Sequence, residues 1–172
     1  MRKQESKKSY AVFGLGEFGR SVAEELMEAG ADVLAIDKDE DLVSDIAPNV
    51  TMAVQVDATE LHAFDTLGLS NMDGVIVTIT SCLEASIMAI MAAKEAGVSF
   101  ILAKSRNATM TSILERIGAN KIVTPERDGG IRVARNIVNG NFIDFFELSK
   151  RVRMVEISVK PEWIGKNLKE LS

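Results

Sequence analysis

The 172-residue chain has little cysteine, histidine, tryptophan or tyrosine, with one residue of each. The single cysteine, Cys82, excludes a disulfide framework and any zinc site built on cysteines, and it suits a reducing compartment. The apolar runs, such as residues 74–79, are far shorter than the ~20 residues that span a bilayer, and no signal-peptide pattern follows the basic N-terminus. We therefore expect a cytoplasmic protein that does not enter a membrane by itself but can dock on a membrane protein.

Basic charge is also scarce, since 20 Lys and Arg residues stand against 25 Asp and Glu residues and give a formal net charge of −5. The chain has no stripe of basic residues interleaved with aromatic ones, which argues against nucleic acid as a partner. Apolar residues make up 47% of the chain and charged residues 26%. This composition predicts one folded domain with a sizeable core, to which a short further piece is appended.

Short β-branched or apolar runs alternate with amphipathic stretches along the first 140 residues. This alternation is typical of an α/β fold, a Rossmann-like doubly wound parallel sheet with helices on both faces. The predicted strands are residues 10–13, 33–37, 51–56, 74–80, 98–103 and 121–124. The predicted helices are residues 17–29, 40–47, 60–67, 83–96, 109–117 and 131–138, most of which end close to a glycine.

After Gly140 the pattern changes. Three of the seven phenylalanines fall within five residues and form an apolar cluster with a neighbouring isoleucine: Phe142, Ile143, Phe145 and Phe146. Such a cluster is typical of a self-association surface, or of a surface covered by a further subdomain. Residues 154–159 alternate as a strand does, and a helix-like pattern begins at Trp163 shortly before the last residue. We expect the start of a truncated C-terminal subdomain here.

The strongest motif is a glycine-rich loop between the first predicted strand and the first predicted helix. Gly14 permits a tight turn, Gly16 lets the backbone approach a pyrophosphate, and Gly19 allows close packing of helix and strand. The N-terminus of the helix offers unpaired N–H groups to a phosphate. An acid, Asp37, ends the second predicted strand, where its carboxylate can accept hydrogen bonds from both ribose hydroxyls of an adenosine. Tight turns and a helix cap are the structural alternatives.

In a doubly wound sheet the loops after successive strands converge on the ligand. Asp57 and Ala58 are therefore candidates for the adenine side of the pocket, and Thr80 and Ser81 for contacts near the phosphates. Capping of the next helix is the alternative role of Asp57. Four further candidates lie in the glycine-rich loop or beside Asp37: Leu15, Glu17, Phe18 and Lys38. The negative charge of Asp37 disfavours a 2′-phosphate, and therefore NADP.

Cations and possible catalytic groups are few. Lys104 and Arg106 follow the fifth predicted strand and either meet a phosphate or remain solvated. Glu126 is either an ion ligand or a helix cap, and one carboxylate is not a metal site. We interpret His62 as a structural histidine and Cys82 as a small apolar residue at a strand end.

Together these stretches closely resemble the regulatory, potassium-conductance (RCK, or TrkA-N) domain of Trk/Ktr-type bacterial potassium transport systems. The resemblance runs from about residue 10 to residue 148 and is carried by VFGLGEFGRSVAEELMEAGADVLAIDKDEDLV, QVDATE, DGVIVTIT, ILAKSRN and IGANKIVTPERDGGIRVA. It implies a basic tail over residues 1–8, a nucleotide-binding domain over 9–139, a crossover connection over 140–152 and the opening of a C-terminal subdomain over 153–172.

The resemblance further implies a subunit at the inner face of the cell membrane that forms homodimers, often assembled into a ring, under a potassium channel or transporter. NAD(H), ADP or ATP would bind the glycine-rich loop, and nucleotide exchange would open or close the pore. The positions that match the nucleotide contacts of the family are Gly14, Gly16, Gly19, Asp37, Asp57, Ala58 and Lys104. Glu126 matches the position at which some members hold a divalent cation between subunits.

One position departs from the family pattern. Many Ktr-type members carry Arg where Glu17 stands, and an acid there opposes a triphosphate, because like charges a few ångströms apart repel by about 1 kcal/mol even in water. Arg20, on the same turn, could compensate in part. We therefore expect NAD(H) or a diphosphate to be preferred over ATP.

Two functions are compatible with a nucleotide pocket. A regulatory binding module needs no acid/base pair, and the sequence has no Tyr-x-x-x-Lys motif and no suitable histidine. A nicotinamide-dependent dehydrogenase would need a substrate domain and a proton-transfer residue, and only some thirty residues follow the last predicted helix over the sheet, residues 131–138. The dehydrogenase alternative therefore requires a substrate domain outside this chain.

Overall fold

A computed structural model describes residues 7–60, 62–139, 142–149, 152–157, 159, 161–167 and 169–170. For residues 136, 139, 142–149 and 152–157 it describes the backbone only. The chain divides into two compact units, Met1–Thr124 and Pro125–Ser172. None of the helices in the described residues combines the length and apolarity required to cross a bilayer.

The first unit is a six-stranded parallel sheet in the order β3-β2-β1-β4-β5-β6. Its strands are β1 (Ser9–Phe13), β2 (Asp32–Asp37), β3 (Met52–Gln55), β4 (Gly74–Val77), β5 (Phe100–Lys104) and β6 (Lys121–Val123). Its helices are α1 (Glu17–Glu28), α2 (Glu40–Ile46), α3 (Leu83–Glu95) and α4 (Ala108–Ile117). The prediction of a Rossmann-like doubly wound parallel sheet is confirmed.

Strand order reverses at β1, which pairs with β2 on one side and with β4 on the other. In the register, Ala11 lies opposite Leu34 of β2 and Val75 of β4. The chain therefore leaves β1 and β4, which are neighbours in the sheet, toward opposite faces, and the two loops separate. In sheets of this kind the crevice between two such loops is the place where ligands bind.

Each face of the sheet has its own apolar core because successive side chains of a strand point to opposite faces. Phe13 packs with α3 and α4 in one core, and its neighbour Val12 packs with α1 and α2 in the other. Both side chains are fully buried. The sheet is thus covered on both faces, which fixes the strand ends that carry the candidate site.

The predicted helix over residues 60–67 is wrong. The described residues there form consecutive turns, in which the N–H groups of Ala63, Asp65 and Leu67 donate to carbonyls three residues earlier. Among the described residues of this segment, Phe64 and Leu67 belong to the apolar core, and helices this short depend on packing for their stability. Phe64 is held against Phe13, with the ring centroids 5.8 Å apart.

The second unit contains α5 (Pro125–Asn139) and an antiparallel pair, β7 (Phe142–Ser149) and β8 (Val152–Ile157). Helix α5 begins earlier than the predicted residue 131, since Pro125 at its first position suits a helix start. The strand predicted over residues 154–159 corresponds to β8. The side chains of the predicted apolar cluster at 142–146, and residues 1–6 of the predicted basic tail, lie outside the described residues.

Replacement of Leu114 by alanine tests the core on the α3 and α4 face. Leu114 is fully buried on α4, and we expect Leu114→Ala to lower the free energy of unfolding by about 3 kcal/mol because a cavity remains. Ser112 is exposed on the same helix, and Ser112→Ala should change it by less than about 0.5 kcal/mol. Urea unfolding followed by circular dichroism measures both; equal effects would contradict this assignment of the core.

Candidate functional site

The loop between β1 and α1, residues 14–16, is here called the glycine loop. Gly14 has a positive φ of 93°, and a Cβ atom at this position would lie 2.8 Å from the Thr78 hydroxyl oxygen. A Cβ atom at Gly19 would overlap the carbonyl oxygen of Gly14. The fold itself therefore requires glycine at both positions, as predicted for the tight turn and for the close packing of helix and strand.

Gly16 differs from these two glycines. Its φ is −62°, and a Cβ atom there would meet no protein atom within 4 Å. It is the N-cap residue of α1 and provides no side-chain hydrogen bond to the helix. The first-turn N–H groups of a helix have no intrahelical partner and attract anions. The protein thus leaves this end of α1 accessible and without a side-chain cap.

Asp37, the last residue of β2, lies against the glycine loop. Its Oδ2 atom accepts a hydrogen bond of 2.6 Å from the Leu15 N–H, and its Oδ1 atom accepts one of 3.0 Å from the Asp39 N–H. A carboxylate has about four acceptor positions, so two bonds leave capacity for further donors. The predicted acid and the predicted glycine motif are thus brought into direct contact.

Thr78, the first residue after β4, was not among the predicted site residues. Its side chain is buried, and its hydroxyl lies 2.7 Å from the carbonyl oxygen of Gly14. Ser86, which is also buried, donates to the carbonyl of Ile79 at 2.6 Å and so holds the next loop, where Thr80 is half-buried and Ser81 exposed. The only sequence signal for Thr78 is a hydroxyl directly after four apolar strand residues.

Lys104, the last residue of β5, approaches the same place from the other side of the reversal point. Its Nζ atom lies 5.5 Å from the centre of the Phe18 ring on α1, a cation–π geometry. The buried Ser105 hydroxyl donates to the Asn107 carbonyl and fixes the loop that follows. Arg106 is exposed. Of the two predicted cations, the structure brings Lys104 to Phe18 in the first turn of α1 and leaves Arg106 at the surface.

Asp57 follows β3 and holds the turn after it. Its carboxylate accepts hydrogen bonds from the Thr59 N–H at 2.9 Å and from the Thr59 hydroxyl at 2.7 Å. These two bonds, with a smaller contribution from the charge of Lys38, lower the pKa of Asp57 below its ordinary value. The described residues that follow Asp57 form turns, so Asp57 caps a turn and not the helix that its alternative role required. The side chain of Ala58 is buried.

Glu17 is exposed in the first turn of α1. Arg20, the residue that could compensate for its charge, instead donates from Nε to Glu24 Oε1 at 3.2 Å. The same Glu24 oxygen accepts a hydrogen bond of 3.1 Å from the Asn49 side chain. Arg20 is therefore engaged along the helix, and the exposed charge in the first turn is acidic.

The remaining candidates lie elsewhere. His62 is exposed, and its Nδ1 atom lies 3.1 Å from Asp65 Oδ2 in the turn segment. Cys82 is half-buried as the N-cap residue of α3. Glu126 stands in the first turn of α5, in the second unit. Within the part of the chain that the structure describes, no group of three or more His, Cys, Asp or Glu side chains could hold a metal ion.

Two cavities, of about 490 Å³ and 330 Å³, open at the amino-terminal ends of the strands, away from the glycine loop. Lys8, Tyr10 and Asp73 contribute to the lining of the larger one. The Asp73 carboxylate accepts a hydrogen bond of 2.8 Å from the Ser9 N–H. The Asp73 carboxylate is thus used for a hydrogen bond to the backbone, and the candidate nucleotide-binding side chains do not line this cavity.

Comparison with known proteins finds close relatives. A family model described as the TrkA-N domain matches residues 10–125. The Ktr system potassium uptake protein C of Bacillus subtilis (strain 168) is 42% identical over 165 residues, which are 96% of this chain and 75% of the relative. The Ktr system potassium uptake protein A of Vibrio alginolyticus is 38% identical over the same shares of the two chains.

Solved structures have the same fold. The TrkA-N domain of inner membrane protein ybaL from Escherichia coli superposes with a TM-score of 0.64 at 19% identity, covering 77% of this chain and 95% of that domain. The GsuK channel bound to NAD gives a TM-score of 0.58 at 14% identity, covering 70% of this chain and 22% of that one. The same channel bound to ADP gives 0.58 over 69% and 31%.

Replacement by alanine should have different effects on stability at Gly16, the N-cap residue of α1, and at Gly19, in its first turn. Gly19→Ala forces Cβ against the Gly14 carbonyl, and we expect it to cost about 1–3 kcal/mol of unfolding free energy. Gly16→Ala meets no protein atom and should cost less than about 1 kcal/mol, the loss of a glycine N-cap. Chemical denaturation measures both; a larger loss for Gly16→Ala would contradict the described packing.

Proposed function

Because the chain belongs to the TrkA-N family, we propose that it is a regulatory subunit that binds an adenine nucleotide at the glycine loop and thereby gates a membrane potassium transporter. A regulator shifts an equilibrium only if its ligand binds two conformations with different free energies. The reversal point of the sheet suits this role, because a ligand there touches loops that lead to helices on opposite faces.

The observation that carries the proposal is Gly16 at the uncapped N-terminus of α1. The fold does not require glycine here, since neither φ nor packing excludes a side chain. A pyrophosphate approaching the first-turn N–H groups would require it. Asp37 adds the second half of the motif, because a carboxylate beside the loop can accept the hydroxyls of the adenosine ribose.

We assign the nucleotide to the residues that converge on this place. The phosphates contact the glycine loop and the first turn of α1, the ribose contacts Asp37, and the adenine lies toward the turn after β3. The proposed contact residues are Gly14, Leu15, Gly16, Glu17, Phe18, Gly19, Asp37, Lys38, Asp57, Ala58, Thr80, Lys104 and Arg106. The GsuK channel, which has been solved with NAD and with ADP, supports either ligand.

Among the adenine nucleotides, we propose NAD(H) or ADP before ATP. Glu17 is exposed in the first turn, and Arg20 is already bound to Glu24 at 3.2 Å. A third phosphate would add negative charge beside Glu17 without a new cation from Arg20. The cost of such proximity is about 1 kcal/mol per pair in high dielectric.

The proposed partner is an integral membrane potassium transporter, at whose cytoplasmic side the chain forms homodimers or a ring of them. The names of the Ktr relatives, which are potassium uptake proteins, support this partner. We propose a nucleotide-binding domain over residues 9–139, a connection over 140–152 and a C-terminal subdomain from 153. Glu126 would give one ligand to a divalent cation shared between subunits. The described residues of one chain contain no group of three or more possible ligands, so the other ligands would come from the partner subunit.

The alternative, a nicotinamide-dependent oxidoreductase, has less support. The only histidine of the sequence is exposed in the turn segment, where its Nδ1 atom lies 3.1 Å from Asp65 Oδ2. A dehydrogenase requires a proton-transfer group near the reacting carbon. The likeness to a short-chain dehydrogenase, at 17% identity, concerns the fold alone.

Nucleotide titration of wild type and Asp37 variants tests the proposal. We expect NADH and ADP to bind wild type, and Asp37→Ala to raise both dissociation constants at least about tenfold, because hydrogen bonds to a charged acceptor contribute about 1.5–3 kcal/mol each. Asp37→Asn, which keeps an acceptor for the Leu15 N–H, should fall between them. Fluorescence of NADH and calorimetry for ADP give the constants.

Asp45→Asn is the matched control, since Asp45 is exposed on α2 outside the proposed site, and it should bind as wild type does. Absence of binding to wild type, or equal binding by Asp37→Ala, would overturn the proposed site. Sustained oxidation of NADH in the presence of a panel of keto acids would reject the proposal of a regulator in favour of an oxidoreductase.

Charge reversal at Glu17 tests the preference against ATP. Glu17→Arg replaces repulsion by attraction, and we expect the affinity for ATP relative to ADP to rise about tenfold or more. Glu28→Arg makes the same change of charge at the exposed far end of α1, beyond effective screening distance, and should leave the ratio unchanged. A wild-type affinity for ATP well above the affinities for NADH and ADP would contradict the proposed preference.

A further inference from the structure

We infer that Thr78 is a positioning residue for nucleotide binding, because its buried hydroxyl holds the carbonyl of Gly14 in the protein interior and so sets the glycine loop. This inference rests on the proposed function, since it assigns to Thr78 the shape of the loop that receives the nucleotide. Thr78 itself touches no ligand in this assignment.

The geometry of the hydroxyl identifies its acceptor. The Thr78 oxygen lies 2.7 Å from the Gly14 carbonyl oxygen and 3.1 Å from the Phe13 carbonyl oxygen. Phe13 already receives the Thr78 backbone N–H at 2.8 Å, as the strand pairing continues. A hydroxyl has one hydrogen to donate, and Gly14 offers the shorter bond to an acceptor that the strand pairing does not serve.

Gly14 is thereby held from both neighbouring strands. Its N–H donates to the carbonyl of Ile36 in β2 at 2.8 Å, and its carbonyl accepts from Thr78 at the end of β4. Its backbone is in the left-handed region, with a φ of 93°. The peptide group after Gly14 therefore has its oxygen fixed inward, where its partial negative charge is kept from a bound phosphate.

The packing around the hydroxyl explains why two glycines stand nearby. A Cβ atom at Gly14 would lie 2.8 Å from the Thr78 oxygen, and one at Gly19 would lie 2.6 Å from it. The hydroxyl thus occupies space that both glycines leave open. Thr78 is 8% exposed, so its hydroxyl is largely shielded from solvent, and its removal takes away the donor that the Gly14 carbonyl has in the protein interior.

The test compares Thr78→Val, Thr78→Ala and Thr78→Ser, with NADH and ADP as probes. Serine keeps the hydroxyl, whereas valine and alanine remove it. We expect serine to bind within about threefold of wild type and the other two at least about tenfold more weakly. Thr51→Val, the same exchange at the amino-terminal end of the sheet where the hydroxyl accepts the Val33 N–H at 3.1 Å, should bind as wild type does.

Hydrogen exchange separates positioning from general stability. In ligand-free Thr78→Ala we expect faster exchange at the amides of Leu15 and Gly16 and unchanged exchange in α4. If Thr78→Val does not fold, the alanine and serine pair decides. The role of Thr78 would be overturned if wild type binds the probes and Thr78→Ala binds them as tightly as Thr78→Ser does. It would also be overturned if hydrogen exchange in Thr78→Ala rises throughout the chain. Wild type that binds neither probe would instead overturn the proposed function.

Discussion

The contact between Gly19 and the carbonyl of Gly14 sets the distance between α1 and β1, and the rest of the candidate site is arranged around it. With no Cβ at Gly19, the helix begins directly against the end of the strand. This placement brings the Leu15 N–H to Asp37 of β2 and the Phe18 ring to Lys104 of β5. A larger residue at Gly19 would move the helix and disturb both contacts.

The glycine motif and Asp37 could be predicted because their roles are local. A strand, a turn with a left-handed residue and a helix start are encoded within ten residues, and an acid at the end of the next strand is placed by the parallel sheet. The alternation of strands and helices likewise needed no knowledge of distant contacts, since each element carries its own apolar periodicity.

The misassigned helix and the missed Thr78 contact depend on residues far apart in the sequence. Residues 60–67 have the composition of a helix, but the segment is shaped by Phe64 packing on Phe13, about fifty residues away. Thr78 looks like an ordinary strand residue until β4 is placed beside β1. The engagement of Arg20 by Glu24 is a choice among rotamers that sequence spacing alone does not decide.

Two helices that flank the sheet are capped by a side chain at the N-cap position, α2 by Asp39 and α4 by Asn107, whereas α1 and α3 have no such hydrogen bond. Helix α1 has only Gly16 there. A bound phosphate would take the place of that missing cap, so ligand recognition and helix stabilisation become one interaction. Free energy gained from the ligand would then add directly to the stability of the folded domain. A bound nucleotide would in this sense be the last component of the folded unit, and its presence would be measurable as increased stability of the fold.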